Sequence, residues 1–186
     1  QLVISGTGAM YDYTNNNSNC APWYSNRTKI TKLTIGEGVT GIGKYAFADC
    51  SSLTSASIAE SVTRICGWAF YGCNALKSVY IVDFEAWLNI VFSDSYASPC
   101  TYIADVYLNN EKLTEIVISN NITDIGYETF YGWGSLTKVT IPSNVTSIGH
   151  GAFKECRNLE EVVLSNGLTD IGYAAFAYCT SLTHIT

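Results

Sequence analysis

A 23-residue period constrains this chain more than any other property. The last apolar residue of each strand-like run falls at Ile35, Ile58, Ile81, Ile118, Ile141 and Leu164, in steps of 23, 23, 37, 23 and 23. The phenylalanines Phe47, Phe70, Phe130, Phe153 and Phe176 step by 23, 60, 23 and 23. The two markers agree on one long unit, with an excess of 14 residues between Ile81 and Ile118. A unit this short cannot bury its own apolar face, so the units must stack and share one continuous core.

The stretch 136–159 shows the unit most clearly. Leu136, Val139 and Ile141 alternate with polar residues as one face of a short strand does. A polar turn follows, then a Val-Thr-x-Ile-Gly run on the far side. Its glycine (Gly43, Gly126, Gly149, Gly172) suits either a positive φ or a close backbone approach. Ala-Phe then plugs the space between rungs. Burial of each such ring is worth about 2–3 kcal/mol, and truncation to Ala should cost about 3–5 kcal/mol.

The segments LTSASIAESVTRICGWAFYGCNAL (53–76), LTEIVISNNITDIGYETFYGWGSL (113–136), 136–159 and LEEVVLSNGLTDIGYAAFAYCTSL (159–182) resemble the BspA-like leucine-rich repeat class. The resemblance covers about residues 29–186. Three positions depart from it: Cys66 in place of Gly, Thr129 in place of Ala, and Trp133 in place of Cys. It implies a right-handed leucine-rich repeat solenoid, with one short parallel strand per repeat and short turns or 3₁₀ segments opposite. It also implies an extracellular or cell-surface location, on bacterial proteins that engage host matrix proteins, other cells or glycans.

Hydrophobic residues make up 47% of the chain and charged residues 14%, the balance of a folded domain. The net charge of −6 disfavours nucleic acid, which requires clustered Lys and Arg. No apolar run has the roughly 18–20 residues that span a bilayer, and no signal peptide is visible. A start at Gln1 therefore reads as a mature or trimmed chain.

Four of the seven cysteines, Cys50, Cys73, Cys156 and Cys179, stand three residues after the repeat Phe, as small buried ladder residues. Parallel side-chain vectors about 5 Å apart do not suit a disulfide. Cys20, Cys66 and Cys100 fall off that ladder. No zinc-ligand spacing occurs, and no metal or cofactor is expected.

Residues 1–28 do not fit the repeat and are read as an N-terminal cap, with an alternating strand, an Asn-rich loop, and Met10, Trp23 and Tyr24 covering the first rung. The repeat domain is 29–186. Within it, 82–112 is an irregular insert in a lengthened repeat, read as a hairpin or bulge on the solenoid flank: Asp83 N-caps a short helix over Glu85–Leu88, and 104–118 reads as strand, turn, strand. Trp87, Phe92 and Tyr96 are expected to pack. A long loop on a rigid scaffold is also a place for binding residues.

Catalytic patterns are lacking. Gly36-Glu37-Gly38-Val39-Thr40-Gly41 matches GxGxxG, but the same register reads SNNITD, PSNVTS and SNGLTD in sister units and no long helix follows. No Ser-His-Asp set or paired acid and base is present. The chain is expected not to be an enzyme.

The patterned surface is the outward sheet face. One column reads Lys32, Ser55, Ser78, Glu115, Lys138, Glu161, His184; the next reads Thr34, Ser57, Tyr80, Val117, Thr140, Val163, Thr186. The candidate ligand-binding residues are Lys32, Ser78, Tyr80, Glu115, Lys138, Glu161 and His184. The tyrosine-rich turn side, with Tyr45, Tyr71, Tyr127, Tyr131, Tyr173 and Tyr178, is a second candidate. The expected role is a non-catalytic, cell-surface or secreted interaction module with a protein or glycan ligand, adhesin-like. The alternatives are a carbohydrate-binding accessory domain and a structural spacer of a larger secreted protein.

Overall fold

The structure is a computed structural model that describes residues 1–16 and 18–186; Asn17, in the expected Asn-rich loop, lies outside the described residues. The chain forms a parallel β-solenoid with little helix. Alternation decides which side chains enter it: in Lys32–Ile35, Leu33 and Ile35 are buried while Lys32 and Thr34 face outward, and Ser55–Ile58, Ser78–Ile81 and Lys138–Ile141 repeat the pattern.

The front of the solenoid is two sheets. The first runs Leu2–Ile4, Lys32–Ile35, Ser55–Ile58, Ser78–Ile81 and Asp105–Leu108, all parallel, with Glu111–Lys112 antiparallel at its edge. The second runs Glu115–Val117, Lys138–Ile141, Glu161–Leu164 and His184–Ile185. The back is divided likewise, with Gly8–Ala9, Val39–Ile42, Arg64–Ile65 and Val91–Phe92 in one ribbon and Asp124–Ile125, Ser147–Ile148 and Asp170–Ile171 in the other.

The long unit forms the expected hairpin, but its first strand lies in the front sheet and not on the flank. Val79 pairs with Val106 rather than with Ile116, which follows only ten residues later. Four residues of the excess therefore lengthen a rung, and ten form a hairpin that ends the first front sheet before the second begins. Asp83 caps the helix Phe84–Leu88 through the Ala86 amide at 2.8 Å, as expected. The strand Asp105–Leu108 lies in the sheet itself. The hairpin turns at Asn109 and Asn110, both with positive φ, and the Lys112 ammonium sits 2.7 Å from the Asp105 carboxylate.

The core is a ladder of rings. Trp23 stacks on Phe47, and Phe47 lies against Phe70; further along, Phe130, Phe153 and Phe176 stack with centroids 4.8 and 5.2 Å apart. Trp23 also donates its indole N–H to the Ala46 carbonyl at 2.8 Å. In the lengthened rung the Phe position is Ala97, whose neighbour Tyr96 supplies the carbonyl that accepts the Phe70 amide. There Trp87, Phe92 and Trp133 fill the interior, with the Trp87 centroid 5.5 Å from that of Phe92 and 5.6 Å from that of Trp133. Trp87 is buried and donates to the Thr129 carbonyl at 2.9 Å.

All seven cysteines are free thiols. The ladder thiols of Cys73, Cys156 and Cys179 donate to the carbonyls of Phe47, Phe130 and Phe153 in the preceding rung, at 3.0–3.2 Å. Against the expectation that Cys100 stands off the ladder, it is fully buried three residues after Ala97, the ladder position of the lengthened rung. Between rungs, Thr54, Thr63, Thr137 and Thr169 donate to main-chain carbonyls one repeat earlier. Each such bond contributes about 1 kcal/mol, which accounts for the recurrent threonine.

Candidate functional site

The division of the front sheet separates the candidate residues. Lys32, Ser78 and Tyr80 belong to the first sheet; Glu115, Lys138, Glu161 and His184 belong to the second. The column expected to run unbroken from Ser78 to Glu115 does not. Ser78 pairs with Asp105, because the lengthened rung contributes a strand of its own.

The second-sheet column is internally matched. Glu115 faces Lys138, Lys138 faces Glu161, and Glu161 faces His184. The Lys138 ammonium lies 2.8 Å from the Glu161 carboxylate, which raises the Lys138 pKa. The adjacent column is Val117, Thr140 and Val163, without an aromatic residue. This half presents a flat ion-paired surface.

The first sheet is different. Its outward residues next to the Lys32 column are Val3, Thr34, Ser57, Tyr80 and Tyr107, one per strand. Tyr80 and Tyr107 stack with centroids 4.9 Å apart and planes 21° from parallel. That separation is the strand spacing, so both rings stand on the sheet and follow its axis. The small side chains of Ser57 and Thr34 then leave a groove of about 570 Å³ beside Tyr80. Gln1, Lys32 and Glu37 line it, as do Asn109 and Asn110 of the hairpin turn. Among the described residues neither Lys32 nor Glu37 is in an ion pair.

Of the seven candidates, the groove therefore brings together Lys32 and Tyr80. Sequence reasoning missed Tyr107, Asn109 and Asn110. The alternation of ADVYL marks a strand with Tyr107 opposite Val106, but nothing local reveals that it pairs with Ser78–Ile81.

The tyrosine-rich side divides in a similar way. Tyr71, Trp68 and Tyr96 pack together, with Tyr45 against Trp68. Tyr131 is buried. His150 is exposed and lies between the rings of Tyr127 and Tyr173, at 5.3 and 5.5 Å.

The buried thiols are poor nucleophiles. Burial pushes the Cys179 thiol up to about 11 and raises those of Cys156 and Cys100 as well, so they stay protonated at neutral pH. Among the described residues no group of three or more His, Cys, Asp or Glu is placed to hold a metal ion. No helix there is long and apolar enough to cross a membrane.

Comparison with known proteins agrees with this architecture. The family model described as the BspA type leucine rich repeat region matches residues 21–111 and 101–186, in six copies. A leucine-rich repeat protein from Bacteroides ovatus is similar in structure, with 26% identity and a TM-score of 0.60 over 100% of this chain and 45% of that one. A leucine-rich repeat protein from T. pallidum is similar over 94% of this chain and 71% of that one, with 22% identity and a TM-score of 0.57. This chain thus spans less than half of the B. ovatus protein. Among curated proteins none matches it.

Proposed function

The chain belongs to the BspA-type leucine-rich repeat family, and from that premise we propose that it is a non-catalytic recognition module of a cell-surface or secreted protein. The ligand rests on the outward face of the six-stranded sheet. The observation that carries this reading is the groove between Lys32 and Tyr80. It combines the Tyr80 ring, backed by Tyr107, with small hydroxyl side chains, amides and charges without ion-pair partners, on a scaffold held rigid by its core. Parallel strands position Lys32, Thr34, Ser57 and Tyr80, so little ordering entropy at these residues opposes binding. The ion-paired face of the second sheet supports a division of labour in which residues 113–186 extend and stiffen the module.

The test is equilibrium binding of the purified chain to immobilised matrix proteins and mucin-type glycans. Tyr80→Ala alters the first sheet and Lys138→Glu the second, with folding checked by thermal melts. Tyr80→Ala should abolish binding while Lys138→Glu leaves it intact. The opposite pattern, or binding unaffected by both, would reject the assigned face.

A further inference from the structure

We infer that the slot over Ser57 is a sugar subsite, in which one hexopyranose of a glycan continues the ring stack that Tyr107 and Tyr80 begin. The inference rests on the recognition-face reading above and names the ligand class of that face.

The register makes the slot. Tyr80 pairs with Tyr107 on one side and with Ser57 on the other. One face of the Tyr80 ring is therefore covered by Tyr107, at 4.9 Å, and the other is turned toward Ser57. Ser57 and Thr34 are the next positions of the same outward column, and neither carries a ring. Two successive strands about 4.8 Å apart thus leave room for a flat, ring-sized body standing on the sheet against Tyr80. Val3 and Gln1 lie beyond it, on the edge strand and at its start; the Gln1 amide reaches the Thr34 hydroxyl at 3.5 Å.

The chemistry of the walls selects among flat rings. A purely aromatic ligand would cover the Ser57 hydroxyl and give it no partner, and a buried unpartnered group weakens binding by about tenfold. A pyranose presents an apolar C–H face to Tyr80 and hydroxyls around its rim. Those hydroxyls can both donate and accept, and the groove matches them. Ser55, Ser57 and Thr34 offer hydroxyls, Asn109 and Asn110 offer amides, and Lys32 and Glu37 offer one charge of each sign. Asn109 and Asn110 stand at the groove on a turn with positive φ at both residues, which brings their amides to its rim.

Isothermal titration and saturation-transfer NMR with cellotetraose, chitotetraose, mannotetraose and trigalacturonate test this directly. At least one should bind the wild-type chain and transfer saturation through pyranose C–H protons. Tyr80→Ala should weaken that binding about tenfold or more, and Tyr80→Phe should retain most of it. Ser57→Phe places a ring in the slot and should abolish binding, while circular dichroism shows an unchanged fold. If no sugar binds, or if Ser57→Phe leaves sugar binding intact, the subsite is overturned. Should a matrix protein still bind and be lost with Tyr80→Ala while every sugar fails, the sugar assignment falls and the recognition face stands. If sugars and matrix proteins alike fail to bind, both fall.

Discussion

Tyr80 and Tyr107 stand on different rungs yet stack at 4.9 Å, because the lengthened rung returns to the front sheet before the hairpin ends it. Their contact should also stabilise the fold. A double-mutant cycle with Tyr80→Ala and Tyr107→Ala, followed by urea unfolding, should give a coupling of about 0.5–1 kcal/mol. Zero coupling would show that the rings are merely adjacent.

Trp87 supplies the interior of the lengthened rung, which has Ala97 at the repeat Phe position. Trp87→Ala should destabilise by about 3–5 kcal/mol, through lost burial and the unpartnered Thr129 carbonyl. Because each rung is coupled only to its neighbours, partly through such contacts, the urea transition should also broaden or split. A single sharp transition with a small midpoint shift would contradict this account of the break.

Glycine roles can be separated by substitution. A Cβ on Gly43 would collide with the Tyr11 carbonyl oxygen, and Gly43 has no positive φ. Gly43→Ala should therefore cost about 1–3 kcal/mol through forced backbone movement. Positive φ in each turn falls instead two residues before the repeat Phe, at Tyr45, Trp68, Glu128, Gly151 and Ala174, and two residues after it, at Asp49, Gly72, Gly132, Glu155 and Tyr178. Ala174 holds φ 57° without the freedom of glycine. Ala174→Gly should raise stability by about 1 kcal/mol, since the left-handed conformation costs an L-residue that much. Thermal melts of the two variants should move in opposite directions.

Glu128 is buried, and one of its carboxylate oxygens has no hydrogen-bond partner. Burial raises its pKa above the ordinary 4.5, while Ser95 and Tyr127 oppose the shift. Since the folded-state pKa is the higher one, the folded state binds this proton more tightly than the unfolded chain. Its contribution to stability is then fully present below pH 4.5 and is lost as pH rises through the raised value. Glu128→Gln should stabilise the protein at neutral pH and flatten that part of the pH profile. Urea midpoints at acid and neutral pH measure both effects; a destabilised variant at neutral pH would refute the reading.

The ring ladder, the ladder cysteines and the inward faces of the strands were legible because each depends on one unit and recurs in the next. Asp83 capping the helix was legible for the same local reason. The choice at Gly43 between positive φ and close approach was not, since it depends on where Tyr11 passes. Cys100 was misplaced because its rung has Ala97 where the marker Phe is absent. The candidate column was read through the break as though Ser78 neighboured Glu115, and half of it proved to lie on another sheet.

What the sequence by itself determined is the period, the face each strand residue takes, and hence the solenoid and its core. These follow from alternation and stacking, which act within a unit or between identical ones. What only the tertiary structure decided is who stands beside whom across the irregular unit. An excess of 14 residues is equally compatible with a flank insertion and with a slightly lengthened rung followed by a hairpin. The choice depends on Trp87 and Trp133 filling the volume beside Ala97, and on the hydrogen bonds between Ser78–Ile81 and Asp105–Leu108. Those are contacts between distant parts of the chain, and they alone place Tyr107 against Tyr80 and create the groove.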